Sequence, residues 1–234
     1  FNATAILRPR ETTENGEETA GYVLDIVNPL VIRDTEVQGR RQPVAYDLTA
    51  AVAYLSVNED REWLRGFLDP QFVQSGLTMV EPYQSGKVPV VFIHGLASDP
   101  MTWAAMANEL LVYPELTEYF QFWIFAYPTG KPFPAEAANL RRQLVALRNH
   151  IDPQRQDAAF DQMVLIGHSM GGLVSKLQVA SSGDQLSRSI LKVPLEELDL
   201  DDENREKFSD FLFFEPSEQI SRVVFIGTPH RGSK

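Results

Sequence analysis

The chain has 234 residues, 44% of them hydrophobic, with a formal net charge of −11 and no cysteine. That is enough for one large domain or two small ones, with a substantial buried core. The acidity fits poorly with nucleic acid, and the missing thiols exclude disulfides, thiolate catalysis and cysteine-ligated metals. The chain opens on Phe1 instead of Met, which raises the expectation that a preceding segment was removed. Asn2-Ala3-Thr4 fits a glycosylation acceptor, a triplet too common to carry weight. No apolar run approaches the roughly 20 residues that span a bilayer.

Up to about residue 45 the pattern is β-like. FNATAIL and YVLDIV flank a polar stretch containing Asn15-Gly16, which predicts a hairpin with a loop longer than two residues. Asp47 predicts a cap for a helix through LTAAVAYLS, and REWLRGFL predicts a second short helix with Trp63, Leu64, Phe67 and Leu68 on its apolar face. Residues 1–85 thus read as a β-hairpin and helical extension or a small module, and 86–234 as the main body.

The character changes at Lys87. VPVVFI (88–93), FWIFA (122–126), MVLIG (163–167) and RVVFIG (222–227) are nearly uninterrupted apolar runs, as expected of strands covered on both faces of a parallel sheet. Helical patterns separate them. Asp99-Pro100 supplies a cap and a first-turn proline before MTWAAMANELL. Ala137, Leu140, Leu144, Leu147 and Ile151 share one helical face, and GLVSKLQVA reads as the helix after MVLIG. The alternation predicts an α/β fold, a mostly parallel sheet flanked by helices. From about 183 to 218 it degrades into an insertion with Pro194, Pro216, the acidic run EELDLDDE and the apolar FLFF.

Gly167-His168-Ser169-Met170-Gly171 spells G-x-S-x-G between a predicted strand and a predicted helix. A serine hydroxyl needs exposure, a base and a site for the developing oxyanion. A strained strand-to-helix turn exposes it, and flanking glycines remove side chains that would collide there. Ser169 is therefore the candidate nucleophile. Two backbone N–H groups are needed for the oxyanion. Met170 follows the nucleophile directly, and Leu96 lies in VVFIHGLASDPMTW just after an apolar strand, with Gly95 allowing close backbone approach. His94 is expected to brace that loop by hydrogen bonding. Trp103 either lines an acyl pocket or, in the favoured reading, anchors its helix on the sheet. Tyr127, in Tyr127-Pro128-Thr129-Gly130 at the carboxyl end of a strand, is expected to shape a pocket wall. Phe208, Phe211, Leu212, Phe213 and Phe214 read equally as an acyl-contacting surface or as packing for the insertion.

Other motifs fall away. Gly86-Lys87 lacks the remainder of a phosphate loop, and GHSMGG lacks dinucleotide-binding spacing. Asp199, Asp201 and Glu203 alternate like calcium ligands, but Asn204 and Asp210 stand where that loop needs Gly and Glu. No metal site and no cofactor is implied.

Four blocks in order, FIHGL, FAYPTG, GHSMGGL and FIGTPHRGS, resemble an α/β-hydrolase of the esterase/lipase type from about Lys87 onward. The resemblance implies a serine hydrolase acting on carboxylic esters, with hydrophobic acyl esters favoured, and it implies that the insertion is a cap or lid. It also implies the chain order serine, acid, histidine. His94, His150, His168 and His230 are the available histidines, and only His230 follows a strand as a base would. The TPHRGS setting implies a structural role for it. The acid and histidine are accordingly expected beyond Lys234, in which case the 234 residues form the N-terminal part of a catalytic domain, nearly inert without a C-terminal fragment of the same protein. An acyltransferase or thioesterase using the same nucleophile, and a non-catalytic binding domain on this scaffold, remain alternatives. The compartment stays open, with a slight lean to the secreted or envelope side.

Overall fold

A computed structural model describes residues 3–14, 17–27, 29, 32, 34–37, 39–45, 75–191 and 193–232. Asn2, the Asn15-Gly16 dipeptide and both helices expected between 47 and 68 lie outside the described residues. The chain divides into two compact units, one of Phe1–Asn58 with Ala104–Pro114 and the other of Glu59–Trp103 with Glu115–Lys234.

The first unit contains two antiparallel hairpins, β1 (Thr4–Glu14) with β2 (Glu17–Val27) and β3 (Asp34–Val37) with β4 (Arg40–Pro43), and the helix α1 (Ala104–Val112). The β1–β2 ladder runs without a break from Thr4↔Val27 to Glu14↔Glu17. Only two residues therefore separate the strands, which corrects the expected longer loop. A two-stranded ribbon has water on its edges and faces, so polar residues such as Arg8 and Arg10 extend the strands instead of ending them.

The second unit is built on a five-stranded sheet ordered β5-β7-β6-β8-β9. Its strands are β5 (Gly76–Met79), β6 (Val88–Ile93), β7 (Phe120–Ala126), β8 (Met163–His168) and β9 (Ile220–Ile226). The last four are parallel, and only β5 runs antiparallel, against β7. They coincide with the four apolar runs of the sequence. β5 comes from ahead of the Gly86 boundary, so the sheet takes a strand that the sequence pattern assigns to the extension. Proline in a central strand costs a ladder bond. Pro89 lies near the start of β6, opposite Gln121 in the β6–β7 ladder and one residue ahead of the β6–β8 ladder, which starts at Val90↔Val164.

The helices of this unit are α2 (Pro114–Tyr119), α3 (Phe133–Ile151), α4 (Met170–Lys176), α5 (Gln185–Ile190) and α6 (Asp202–Leu212). Ala137, Leu140 and Leu144 of α3 are fully buried against Val91, Ile93, Trp123 and Phe125 of the sheet. α3 buries two ionisable residues, Glu136 and Arg148. Arg148 is held by Asp152 and Asp161 at 3.3 and 3.2 Å with its guanidinium over Phe160. Two partners and an aromatic face compensate the cost of desolvating that cation. Asp99 caps the 3-10 turn Pro100–Trp103 by accepting the Met101 N–H at 2.8 Å.

Two further differences have physical causes. α4 ends at Lys176 where the pattern extended to Ala180, because the Gln178 and Val179 N–H groups close three-residue turns on Ser175 and Lys176. The 183–218 insertion is largely helical. It is pinned by buried Leu212 and by the Arg141 guanidinium stacked 4.2 Å from the Phe214 ring centroid, while Phe208 and Phe213 stay exposed. Asp201, one of the alternating acids, caps α6 through its Oδ1, 2.8 Å from the Asn204 nitrogen.

Candidate active site

The site grows from the ends of β6, β7, β8 and β9, where each strand hands over to a loop. Ser169 is the single residue between β8 and α4, with φ 51° and ψ −119°. Such a conformation costs a residue with a Cβ on the order of 1–3 kcal/mol and persists only where the surroundings enforce it. Here the Ser169 N–H donates to Ile226 O of β9 at 2.9 Å, and Ser169 O accepts the Gly172 N–H at 3.1 Å. The side chain is half-buried, and its hydroxyl has no hydrogen-bond partner among the described residues.

The glycines explain why the chain can turn so tightly. A Cβ on Gly171 would collide with the carbonyl oxygens of Ile93 and His94, so only glycine lets the start of α4 press on the end of β6. A Cβ on Gly167 would sit 2.6 Å from main-chain atoms of Gly171 and Gly172. Gly95 brings the loop after β6 beside Ser169, since a Cβ there would lie 3.0 Å from the Ser169 Cβ and 3.1 Å from His168 Nδ1.

Leu96 follows Gly95 with its side chain 52% exposed. Met170 is the first residue of α4, so its N–H leaves the helix end without an intrahelical acceptor. Neither N–H donates to a protein acceptor among the described residues. Two unpartnered amides thus lie on the two segments that meet at Ser169.

His94 is buried and committed on both sides. Its Nδ1 lies 3.1 Å from Gly95 O, and its Nε2 accepts the Tyr127 N–H at 3.2 Å. That pattern fixes the neutral tautomer with the proton on Nδ1. Burial pushes the imidazole pKa down to about 4, against the smaller opposing influences of Gly95 O and Asp99. A ring neutral at physiological pH with both nitrogens occupied cannot take a proton from Ser169.

The other histidines sit elsewhere. His168 ends β8 with Nδ1 buried and unpaired among the described residues, and its ring meets Trp103 edge-on at 6.4 Å. His150 is exposed near the end of α3. His230 is exposed beyond β9, with its ring perpendicular to Phe225 at 4.7 Å. None of the four is hydrogen-bonded to the Ser169 hydroxyl. Trp103 is buried and stacks on Phe92 at 5.1 Å. Tyr127 is buried between the rings of His94, at 4.4 Å, and Phe125, at 5.5 Å.

Thr129 had no signal of its own in the sequence, and Tyr127 was expected only as a pocket wall. Thr129 Oγ1 accepts the Ala97 N–H at 3.2 Å, and the Tyr127 hydroxyl donates to His94 O at 2.7 Å. The Y-P-T-G stretch marks the place, but its partners lie 32 and 33 residues away. Thr228 packs its Oγ1 against Gly172 so closely that a Cβ there would collide, which brings the TPHRGS segment onto the start of α4. Among the described residues, no group of three or more His, Asp or Glu is arranged to hold a metal ion, and no helix is long and apolar enough to cross a membrane.

A family model of a PGAP1-like alpha/beta domain matches residues 84–191, a stretch running from just before β6 through α5. A search of the curated proteins gave no match. Among solved structures the chain is similar to Bacillus licheniformis lipase BlEst2 in mature form, at 18% identity and TM-score 0.39, covering 69% of this chain and 49% of that one. It is similar to an acetylxylan esterase at 16% identity and TM-score 0.35, covering 62% and 65%, and to esterase B from Lactobacillus rhamnosis at 14% identity and TM-score 0.34, covering 78% and 59%. The chain thus spans about half the length of the lipase. The mostly parallel sheet with flanking helices, the strand–serine–helix turn and the family match give a fold of the α/β-hydrolase type.

Proposed function

We propose that the protein is a serine hydrolase of carboxylic esters and that Ser169 is its nucleophile. One observation carries this reading: a strained serine at a strand-to-helix turn, its hydroxyl unpartnered, with two unpartnered backbone N–H groups on the segments around it. Ser169 Oγ attacks the ester carbonyl as its proton passes to a base. The tetrahedral oxyanion rests against the Leu96 and Met170 N–H groups. The C–O bond to the alcohol breaks, the alcohol leaves protonated, and water then hydrolyses the acyl-enzyme.

None of the four histidines is placed as the base for Ser169. The reason lies in the site, where His94 is neutral and doubly committed and no other described histidine is bonded to the serine. His94, Gly95, Gly167, His168 and Gly171 support the turn and its loop. The favoured substrate is a small ester with a hydrophobic acyl group.

The test is ester hydrolysis by the full-length protein and its Ser169→Ala variant. Loss of the nucleophile is expected to lower kcat by about 10³-fold or more while the fold is retained. Hydrolysis unchanged in a folded Ser169→Ala protein would dismiss the proposal. Thioesters and alcohol acceptors in the same assay separate an acyltransferase or thioesterase from an esterase.

A further inference from the structure

We propose that Tyr127 and Thr129, on the loop after β7, are positioning residues for the oxyanion loop His94–Ala97, fixing the Leu96 N–H where charge develops on the substrate. This rests on the reading of Ser169 as nucleophile. β6 and β7 are adjacent parallel strands with Ile93 opposite Phe125, so their following loops leave the sheet side by side. Four contacts join them. The Tyr127 N–H donates to His94 Nε2 at 3.2 Å, and the Tyr127 hydroxyl donates to His94 O at 2.7 Å. The two rings stack at 4.4 Å with 21° between their planes, and the Ala97 N–H donates to Thr129 Oγ1 at 3.2 Å.

The placement of these contacts is what gives them a role. They grip the loop on either side of Leu96, at His94 and at Ala97, and leave the Leu96 N–H free. Ala97 has φ 51°, a left-handed conformation that costs an alanine stability. The Thr129 hydroxyl accepts this same residue's N–H and so opposes relaxation of the loop at its strained point. Tyr127 and Thr129 are 2% and 4% exposed. They therefore act through the loop and not by touching substrate. An oxyanion donor works only if it is already aimed when charge appears, and a misplacement of about 1 Å can cost on the order of 100-fold in rate.

The experiment measures kcat and KM on a chromogenic ester, with hydrogen exchange of the Gly95–Ala97 amides, in the full-length protein. The variants are Thr129→Val, Thr129→Ser, Tyr127→Phe and Ser169→Ala. Thr129→Val and Tyr127→Phe are each expected to lower kcat by about 10- to 100-fold with KM within about threefold, and to speed exchange at Gly95–Ala97 while β6 and β8 stay protected. Thr129→Ser keeps the hydroxyl and restores kcat. If kcat holds in both loop variants while Ser169→Ala is inactive, the positioning role is wrong and the nucleophile stands. Exchange rising across the whole sheet, without rescue by Thr129→Ser, also overturns the role, because it marks ordinary destabilisation. If Ser169→Ala still hydrolyses the ester, the nucleophile reading falls and the positioning role falls with it. Tyr127→Phe serves as the second variant should Thr129→Val fail to fold.

Discussion

Strands β6 and β9 end in the same four residues, Val-Val-Phe-Ile, and meet opposite fates. In β6, Val90, Val91, Phe92 and Ile93 are all buried, and the last three are wholly inaccessible. In β9, Val224 and Phe225 are 40% and 41% exposed. The difference lies in sheet order. β6 has β7 on one side and β8 on the other, whereas β9 pairs only with β8 among the described residues. An apolar run states what covering a strand is suited to, and its neighbours decide whether it gets it. The loops after the two strands diverge in the same way. His94 directly after β6 is buried and neutral, while His230 beyond β9 is exposed.

Three predictions sharpen or break this contrast. Phe92→Ala removes a ring packed between Trp103 and Phe122, and should cost about 3–5 kcal/mol by urea denaturation. A cost below about 1 kcal/mol would mean that β6 is not the packed centre of the sheet.

The second prediction concerns His94, whose folded pKa of about 4 lies below the ordinary 6.5. Between those values the unfolded chain binds a proton that the folded chain refuses. Stability should therefore rise by about 3 kcal/mol as pH climbs from about 4 to about 6.5, and stay flat in this respect above. Carboxylates also titrate near the lower end of that window, so the measured quantity is the difference between the parent and His94→Gln. The pH dependence of that difference should vanish if the imidazole is not held neutral by burial.

The smallest effect is expected at the edge. Phe225→Ala in a protein of residues 1–234 should cost under about 1 kcal/mol, since much of the ring already meets water. A markedly larger cost would show that Phe225 is packed and the β9 face covered.

The parallel sheet was legible because strands covered on both faces need unbroken apolar runs, as in VPVVFI and MVLIG. β5 was not, because Gly-Leu-Thr-Met has no such run. It is a strand through its partners: it pairs with β7 from Gly76↔Ala126 to Met79↔Trp123. The Gln143 side chain of α3 also accepts the Leu77 N–H at 2.8 Å and donates to Ser75 O at 3.0 Å. Side-chain satisfaction of an edge from a helix 66 residues away leaves no local periodicity to read.

The same division applies to the site. The turn at Ser169 was legible because glycine spacing is local and steric. The lock of His94 and Ala97 by Tyr127 and Thr129 was not, because it joins two loops that only the β6–β7 pairing brings together.

The most direct measurement treats the folded full-length protein with a fluorophosphonate probe and locates the adduct by peptide mass spectrometry. The account predicts a single adduct on the Ser169 hydroxyl, absent from Ser169→Ala and from protein unfolded beforehand. An ester-hydrolysing protein whose Ser169 stays unmodified, or whose adduct lies on another residue, would contradict it.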